Sequence, residues 1–244
     1  NTLIDFTSVH FEKMQKEELE EYIKRINEDD TITGMMIQLP LPDNLKQEER
    51  NLLDMIDPRK DIDGLTSISA GKLNSNISTL IPCTPLGIET LLKAYDISLE
   101  GKKVAIINRS NIVGKPLMHL MLRNNATPII CHSKTKNLKE TTKECDIVIA
   151  ALNKQEFITA DYIKEGAIVI DVGVHKNKAG KTVGDVSFDE VYEKASLITP
   201  PTKSVGPMTI CMLAYNAAKS LHGQEVDEIL QNGIEKAKKL IKTQ

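Results

Sequence analysis

The chain has 244 residues, a formal charge of −3 and 41% hydrophobic residues, enough to bury one large core or two modest ones. Near-neutral charge without a basic cluster argues against a nucleic-acid binder, and no apolar run approaches the ~20 residues that a membrane span requires. Cys83, Cys131, Cys145 and Cys211 are scattered, with no C-x-x-C pair. They read as buried thiols of a reducing, cytoplasmic compartment rather than as disulfides or a zinc site. The chain opens at Asn1 without an initiator Met or a signal-peptide pattern, so it reads as a fragment on which targeting is not judged.

In chain order, residues 1–6 read as a strand. Residues 17–27 read as a helix with Leu19, Tyr22, Ile23 and Ile26 on one face. Residues 31–37 read as a strand running into Gln38-Leu39-Pro40-Leu41-Pro42, where two prolines end regular pairing. Ligands of open α/β sheets bind beyond the carboxyl ends of strands, which makes Gln38 a candidate, although a lone Gln there is more often simply solvated. Residues 46–56 form a helix, and Arg59-Lys60-Asp61-Ile62-Asp63-Gly64-Leu65 follows as a charged turn. Its two carboxylates are open to a plain turn-forming reading. Thr84 as N-cap and Pro85 at the first helical position begin a helix through Leu92, and the chain crosses here into a second domain.

The second domain is organised around Lys103-Val104-Ala105-Ile106-Ile107-Asn108-Arg109-Ser110-Asn111-Ile112-Val113-Gly114. A buried-strand run, a polar turn and a helix carrying Leu117, Met118, Leu120 and Met121 form the layout in which helix N–H groups meet a nucleotide's phosphates. The next strand, 127–131, ends in His132-Ser133-Lys134-Thr135, where an NAD site would place a carboxylate. A hydroxyl and a cation stand there instead. Arg109 and Ser133 are suited to a 2′-phosphate, so NADP is favoured over NAD, against the plainer reading of a solvated basic turn. Strands at 146–151, 167–172 and 196–199, a short helical segment at 159–163 and a capping box at Ser187-Phe188-Asp189-Glu190 continue the alternation. Helices over 209–220 and from Val226 to Ile241 close the chain. His119 reads as a packed helical residue. No H-E-x-x-H, G-x-S-x-G or Walker loop is present, so chemistry falls to a bound cofactor rather than to a metal or triad.

Several segments together resemble one family. They are Gln38-Leu39-Pro40-Leu41-Pro42, Lys60-Asp61-Ile62-Asp63-Gly64, Pro82-Cys83-Thr84-Pro85, Arg109-Ser110-Asn111-Ile112-Val113-Gly114-Lys115-Pro116, Cys131-His132-Ser133-Lys134-Thr135, Asp171-Val172-Gly173 and Val205-Gly206-Pro207-Met208-Thr209. The family is the bifunctional methylenetetrahydrofolate dehydrogenase/methenyltetrahydrofolate cyclohydrolase family. The resemblance implies an α/β fold with two domains flanking a cleft, the second a Rossmann-like doubly wound parallel sheet. It implies residues 1–86 with 209–244 as the folate-binding catalytic domain and 87–208 as the NADP-binding domain, in a cytoplasmic homodimer. The activity implied is oxidation of 5,10-methylenetetrahydrofolate with NADP and hydrolysis to 10-formyltetrahydrofolate, in one-carbon metabolism feeding purine biosynthesis.

By the same resemblance, Gln38 orients a catalytic lysine and Asp63 binds the pterin ring. Asn108, Arg109, Ser110, Gly114, Ser133 and Val174 hold NADP, and Leu39, Val205 and Gly206 line the folate site. The sequence departs from the family in three places. The family's Tyr-x-x-x-Lys belongs upstream of residue 1 and nothing in residues 1–34 replaces it, which implies little cyclohydrolase turnover by residues 1–244 alone. The usual Pro-Gly-Gly-Val-Gly reads Thr202-Lys203-Ser204-Val205-Gly206, which removes two glycines able to adopt φ > 0. Asn108 and Asn153 stand where glycine is usual, and Asn is the residue that best tolerates left-handed backbone. The alternative function is a non-catalytic NADP- or folate-binding relative lacking the lysine.

Overall fold

The computed structural model describes residues 4–11, 13 and 15–242. The chain divides into two compact units, Asn1–Cys83 with Met212–Gln231 and Thr84–Cys211 with Asn232–Gln244.

In the first unit, helix α1 (Lys16–Glu28) buries Leu19 and Ile23, the face its periodicity predicts. These pack with Leu41, Leu45, Leu52, Leu53, Ile56 and Leu65 into one apolar cluster. The C-terminal carbonyls of α1 have no partners within the helix. Buried Lys60 supplies them, its Nζ donating to the carbonyls of Ile26 (2.8 Å), Asn27 (3.0 Å) and Asp29 (2.7 Å). The expected 46–56 helix is a short 3-10 turn at Lys46–Glu48 followed by α2 (Glu49–Asp54).

Two strand expectations need correction. Of residues 1–6, the first three lie outside the described residues, and 4–6 are not in a strand. Residues 31–37 make only an isolated parallel bridge, Met35 to Asp61. The partner segment turns away at once, with Ile62 N–H bonding Lys60 O and Gly64 N–H bonding Asp61 O, so pairing cannot propagate. Helix α3 (Ser67–Asn74), unanticipated, follows that turn and is N-capped by the Thr66 hydroxyl, which accepts from the Ser69 N–H at 3.1 Å.

The second unit is built on a five-stranded, all-parallel sheet. Helix α4 (Cys83–Ala94) leads in, followed by β1 (Lys103–Ile107), α5 (Gly114–Arg123), β2 (Thr127–Cys131), α6 (Leu138–Lys143) and β3 (Ile147–Ala150). A 3-10 turn at Ala160–Tyr162, β4 (Ile168–Asp171), a two-stranded antiparallel hairpin of β5 (His175–Lys176) and β6 (Thr182–Val183), α7 (Phe188–Tyr192) and β7 (Leu197–Ile198) complete it. The strand order is β2-β1-β3-β4-β7, which reverses between β1 and β3, the place where doubly wound sheets bind their ligands. Val104 to Ile107 and Ile147 to Ala150 are fully buried, as the continuous apolar runs of a two-faced parallel sheet require. Half-buried His119 has its pKa lowered by desolvation, in keeping with a packed residue.

Several boundaries differ from the sequence reading. Helix α4 begins at Cys83, so Thr84 is not its cap; the Thr84 hydroxyl pairs with that of Thr209 at 3.0 Å. Ser187 forms no capping box. The N–H that Glu190 would have to bind is already given to Ile158 O at 2.8 Å. Helix α8 (Val205–His222) starts four residues earlier than expected, since Pro207 sits in the first turn, where a missing N–H costs nothing. Helix α9 (Glu225–Ile241) ends the described structure.

One buried ion pair joins α4 to α5. Glu89, 2% exposed, receives Arg123 at 2.7 Å and Asn124 at 2.6 Å. Burial alone would raise its pKa, but Arg123 and Lys93 outweigh that and hold it below the usual carboxylate value. A lowered folded-state pKa stabilises above the unfolded value and is lost as pH falls through the folded one. Glu89→Gln is therefore expected to cost about 2–4 kcal/mol at pH 7, and less below pH 4, in paired denaturant titrations.

Candidate active site

Within the motif Lys60-Asp61-Ile62-Asp63-Gly64 the two aspartates have opposite fates. Asp61 is 1% exposed and accepts bonds from Leu65 N–H (3.0 Å), Thr66 N–H (2.9 Å) and the Ser69 hydroxyl (2.8 Å). It is the turn former and the organiser of α3. Asp63 takes no part in that network. Burial pushes its pKa up to about 6, with a hydrogen bond from Cys83 opposing and the charge of Asp61 reinforcing. The neighbouring Cys83 thiol is itself driven far above its ordinary value, first by burial and then by Asp63. Asp63 is thus a half-buried acceptor that receives no backbone donor among the described residues, the condition expected of a group kept for a ligand.

Gly64 follows at φ +68°, and a Cβ there would lie 2.6 Å from the Ile81 carbonyl carbon and 2.7 Å from Pro82 N. Only glycine allows that approach. The parallel bridge between Met35 and Asp61 sends Gln38 and Asp63 onward from the same end of the pairing. Gln38 is exposed, its amide donating only to the next residue's carbonyl at 3.1 Å. Leu39 packs against the apolar cluster of the first unit.

At the end of β1 the Asn108 side chain builds the turn. Its Oδ1 accepts the N–H groups of Ser110 (2.7 Å) and Gly114 (3.1 Å), while its Nδ2 donates to Ala151 O (2.6 Å) beyond β3. Asn108 thereby bridges the point at which strand order reverses. Of the two asparagines that stand where glycine is usual, Asn153 is left-handed, at φ +57°, and Asn108 is not. The Ser110 hydroxyl accepts from Val113 N–H at 3.0 Å, and Ser110 O accepts from Lys115 N–H at 3.0 Å. With Pro116 lacking an N–H, the donors of Val113, Gly114 and Lys115 are all committed within the turn.

A Cβ on Gly114 would overlap the Asn108 carbonyl. Arg109 and Ser133 are exposed. Each stands two residues beyond the register pair Ile107 and Cys131, so the parallel pairing of β1 and β2 carries them to one end of the sheet. The His132–Thr135 turn is fixed by Thr135 Oγ1 accepting from His132 N–H at 2.8 Å.

Two buried carboxylates that the spacing did not single out shape the loops after β3 and β4. Asp171 accepts from Gly173, Asp185 and Val186 N–H at 2.9–3.0 Å, and burial still raises its pKa to about 6. Asp185 accepts from Leu152 (2.6 Å), Asn153 (3.1 Å) and Lys154 (2.7 Å) N–H groups and pairs with His175 Nε2 at 2.8 Å. Side chains at Gly173 or Gly184 would overlap these carboxyls. Val174, 68% exposed, is presented between them. Nothing in the local sequence around Gly184-Asp185-Val186 distinguishes Asp185 from a turn aspartate, because its donors lie some 30 residues away.

In the loop before α8, Lys203 adopts φ +58° although it stands where the family has glycine, and Ser204 Oγ donates to Pro200 O at 2.9 Å. The left-handed turn survives without glycine. Val205 is buried and Gly206 exposed in the first turn of α8, with open space around the position of a Cβ.

A parallel sheet of order β2-β1-β3-β4-β7 with a strand–turn–helix at its reversal, a glycine at which a Cβ would clash and exposed cationic and hydroxyl side chains at the same end of the sheet defines a dinucleotide-binding α/β protein. The side-chain set fits NADP. The chain belongs to the bifunctional methylenetetrahydrofolate dehydrogenase/methenyltetrahydrofolate cyclohydrolase family of NADP-dependent enzymes. Residues 2–63 match the tetrahydrofolate dehydrogenase/cyclohydrolase catalytic domain, and residues 82–225 its NAD(P)-binding domain. It is 50% identical to the bifunctional protein FolD of Bacillus anthracis over 209 residues, 86% of this chain and 72% of that one. The crystal structure of the bifunctional enzyme FolD from Campylobacter jejuni is similar, with TM-score 0.83 and 45% identity, covering 86% of this chain and 74% of that one. The Trypanosoma brucei FolD structure, complexed with NADP cofactor and inhibitor, is similar with TM-score 0.79 and 32% identity, over 85% of this chain and 72% of that one.

Proposed function

We propose that the chain recognises the two reactants of NADP-dependent methylenetetrahydrofolate oxidation through two sets of residues, Asp63 with Gln38 for the folate and Arg109 with Ser133 for the cofactor. The observation that carries this reading is the separation of roles in Lys60-Asp61-Ile62-Asp63-Gly64. Asp61 absorbs the turn's donors and leaves Asp63 unspent. An ionised Asp63 accepts from the amino and ring N–H donors of the pterin edge. Gln38 offers an uncharged amide to the reacting region. NADP, when bound, supplies the hydride acceptor. Arg109 and Ser133 give charge-assisted donors to its 2′-phosphate, Asn108 and Gly114 keep the turn open, and Asp185 holds the loop after β3 in shape. Val174 is assigned to the nicotinamide ribose, a reading supported by its exposure next to the Asp171–Gly173 turn. A cytoplasmic homodimer acting in purine biosynthesis belongs to the same proposal; the free cysteines are in keeping with a reducing compartment, although Cys211, read from the sequence as buried, is exposed.

Asp63→Asn exchanges an acceptor pair for one acceptor and one donor while keeping size and turn tendency. The expected result is an about tenfold or greater loss of tetrahydrofolate affinity in a calorimetric titration, with NADP affinity unchanged. In the wild type, folate affinity should fall as pH drops through about 6, where Asp63 gains a proton. The stability effect has the opposite direction. A raised folded-state pKa favours the folded protein below the unfolded value of about 4, and that favour is lost as pH rises through about 6. Asp63→Asn should therefore gain about 2–4 °C in Tm relative to wild type between pH 4.5 and 7.5. Intact folate affinity with a large drop in Tm would make Asp63 a turn former like Asp61.

A further inference from the structure

Asn216 lies on α8, within the part of that helix belonging to the first unit, and is fully buried. Its Nδ2 donates to two backbone carbonyls, Ile62 O and Ile81 O, each at 2.8 Å, and lies 3.6 Å from Cys83 Sγ. Its Oδ1 has no partner among the described residues. The two carbonyls fix the amide's orientation, since a flipped amide would set oxygen against oxygen. A buried amide that leaves its acceptor empty in order to make two donor bonds is expensive to keep.

What those bonds hold is the peptide on either side of Asp63. Ile62 O belongs to the peptide that enters Asp63, and it also receives the Cys83 thiol at 3.6 Å. The residue that leaves it, Gly64, packs directly on the Ile81–Pro82 backbone. Asn216 ties Ile62 and Ile81 together and reaches the Cys83 thiol, which itself donates to the carbonyl of the peptide that enters Asp63. We infer that Asn216 is a positioning residue for folate recognition, fixing the direction of the Asp63 carboxylate through Ile62 and Ile81, 154 and 135 residues away in sequence, and through Cys83. The inference rests on the reading of Asp63 as the folate acceptor.

The test is a double-mutant cycle on the full chain. Asn216→Ala, Asp63→Asn and the pair are titrated with tetrahydrofolate and, separately, with NADP. The expected results are an about tenfold loss of folate affinity for Asn216→Ala, NADP affinity within twofold of wild type, and little further loss when Asn216→Ala is added to Asp63→Asn. In Asn216→Ala the pH midpoint of folate binding should also move from about 6, because the Ile62 and Ile81 carbonyls that flank Asp63 are released and its burial changes. Asn216→Ser, which retains one donor, should recover part of the affinity, and it carries the same comparison if the alanine variant fails to fold. Full additivity in the double mutant, or an unmoved pH midpoint, overturns the positioning role. An Asp63→Asn variant with wild-type folate affinity instead overturns the underlying reading of Asp63.

Discussion

Gly114→Ala is expected to lower NADP affinity at least about 100-fold while the first unit still binds tetrahydrofolate. The added Cβ would overlap the Asn108 carbonyl and lie 2.8 Å from Arg109 N. These are backbone atoms and cannot swing aside as a flexible side chain would. Relieving the overlap requires the β1–α5 turn to open, which breaks the bond from Gly114 N–H to Asn108 Oδ1 and releases Asn108 from Ala151. Arg109 sits next to the displaced atoms, so its guanidinium leaves its place as well. Overpacking of this kind costs about 1–3 kcal/mol of stability, in addition to the loss of the site. Cofactor titration with a thermal scan separates the two. A variant with wild-type NADP affinity would show that the cofactor does not use this turn.

Arg109→Ala is expected to weaken NADP by about 10–150-fold, the worth of one charge-assisted contact, and NAD by less than about threefold. Among the described residues the Arg109 side chain has no hydrogen-bonded partner, and it is exposed, so its removal takes little from the fold. A contact to a 2′-phosphate is absent from NAD by chemistry, and the ratio of the two losses isolates it. The effect should shrink as salt is raised, as befits an exposed ion pair. Equal losses for both cofactors would assign Arg109 to the shared pyrophosphate instead.

Much of the second unit was legible from composition alone. Buried parallel strands announce themselves as continuous β-branched runs, and Val104 to Ile107, Ile147 to Ala150 and Ile168 to Ile170 lie within a residue or two of where the runs place them. Helix α3 was not legible. Its residues Ser67 to Asn74 have almost no apolar periodicity, and its start is set by Asp61 and Thr66 rather than by its own face. Helix α6 enters through a left-handed Asn137, which reads as an ordinary loop residue.

The candidate site divides in the same way. Arg109, Ser133 and Gly114 follow from strand–turn–helix spacing, because sheet register alone fixes where they stand. Asp61 and Asp63 are two positions apart and chemically identical in sequence; only burial and the donors of Leu65, Thr66 and Ser69 separate the turn-forming Asp61 from Asp63, the proposed folate acceptor. Asn108 looked like a lost glycine and is a three-bond organiser of its turn. Lys203 shows that a left-handed position can be kept by a residue other than glycine or asparagine. Asp185 and Asn216 act on partners far away in sequence, where spacing carries no signal.

The most direct measurement is a calorimetric cross-titration of two variants, Arg109→Ala and Asp63→Asn, each against NADP and against tetrahydrofolate. Assignment of the cofactor to the β1–β2 end of the sheet and of the folate to the Asp63 turn predicts that each variant loses one ligand and keeps the other. Arg109→Ala should lose NADP at least about tenfold and bind folate as the wild type does; Asp63→Asn should do the reverse. A variant that loses both ligands in proportion, or neither, would contradict that assignment.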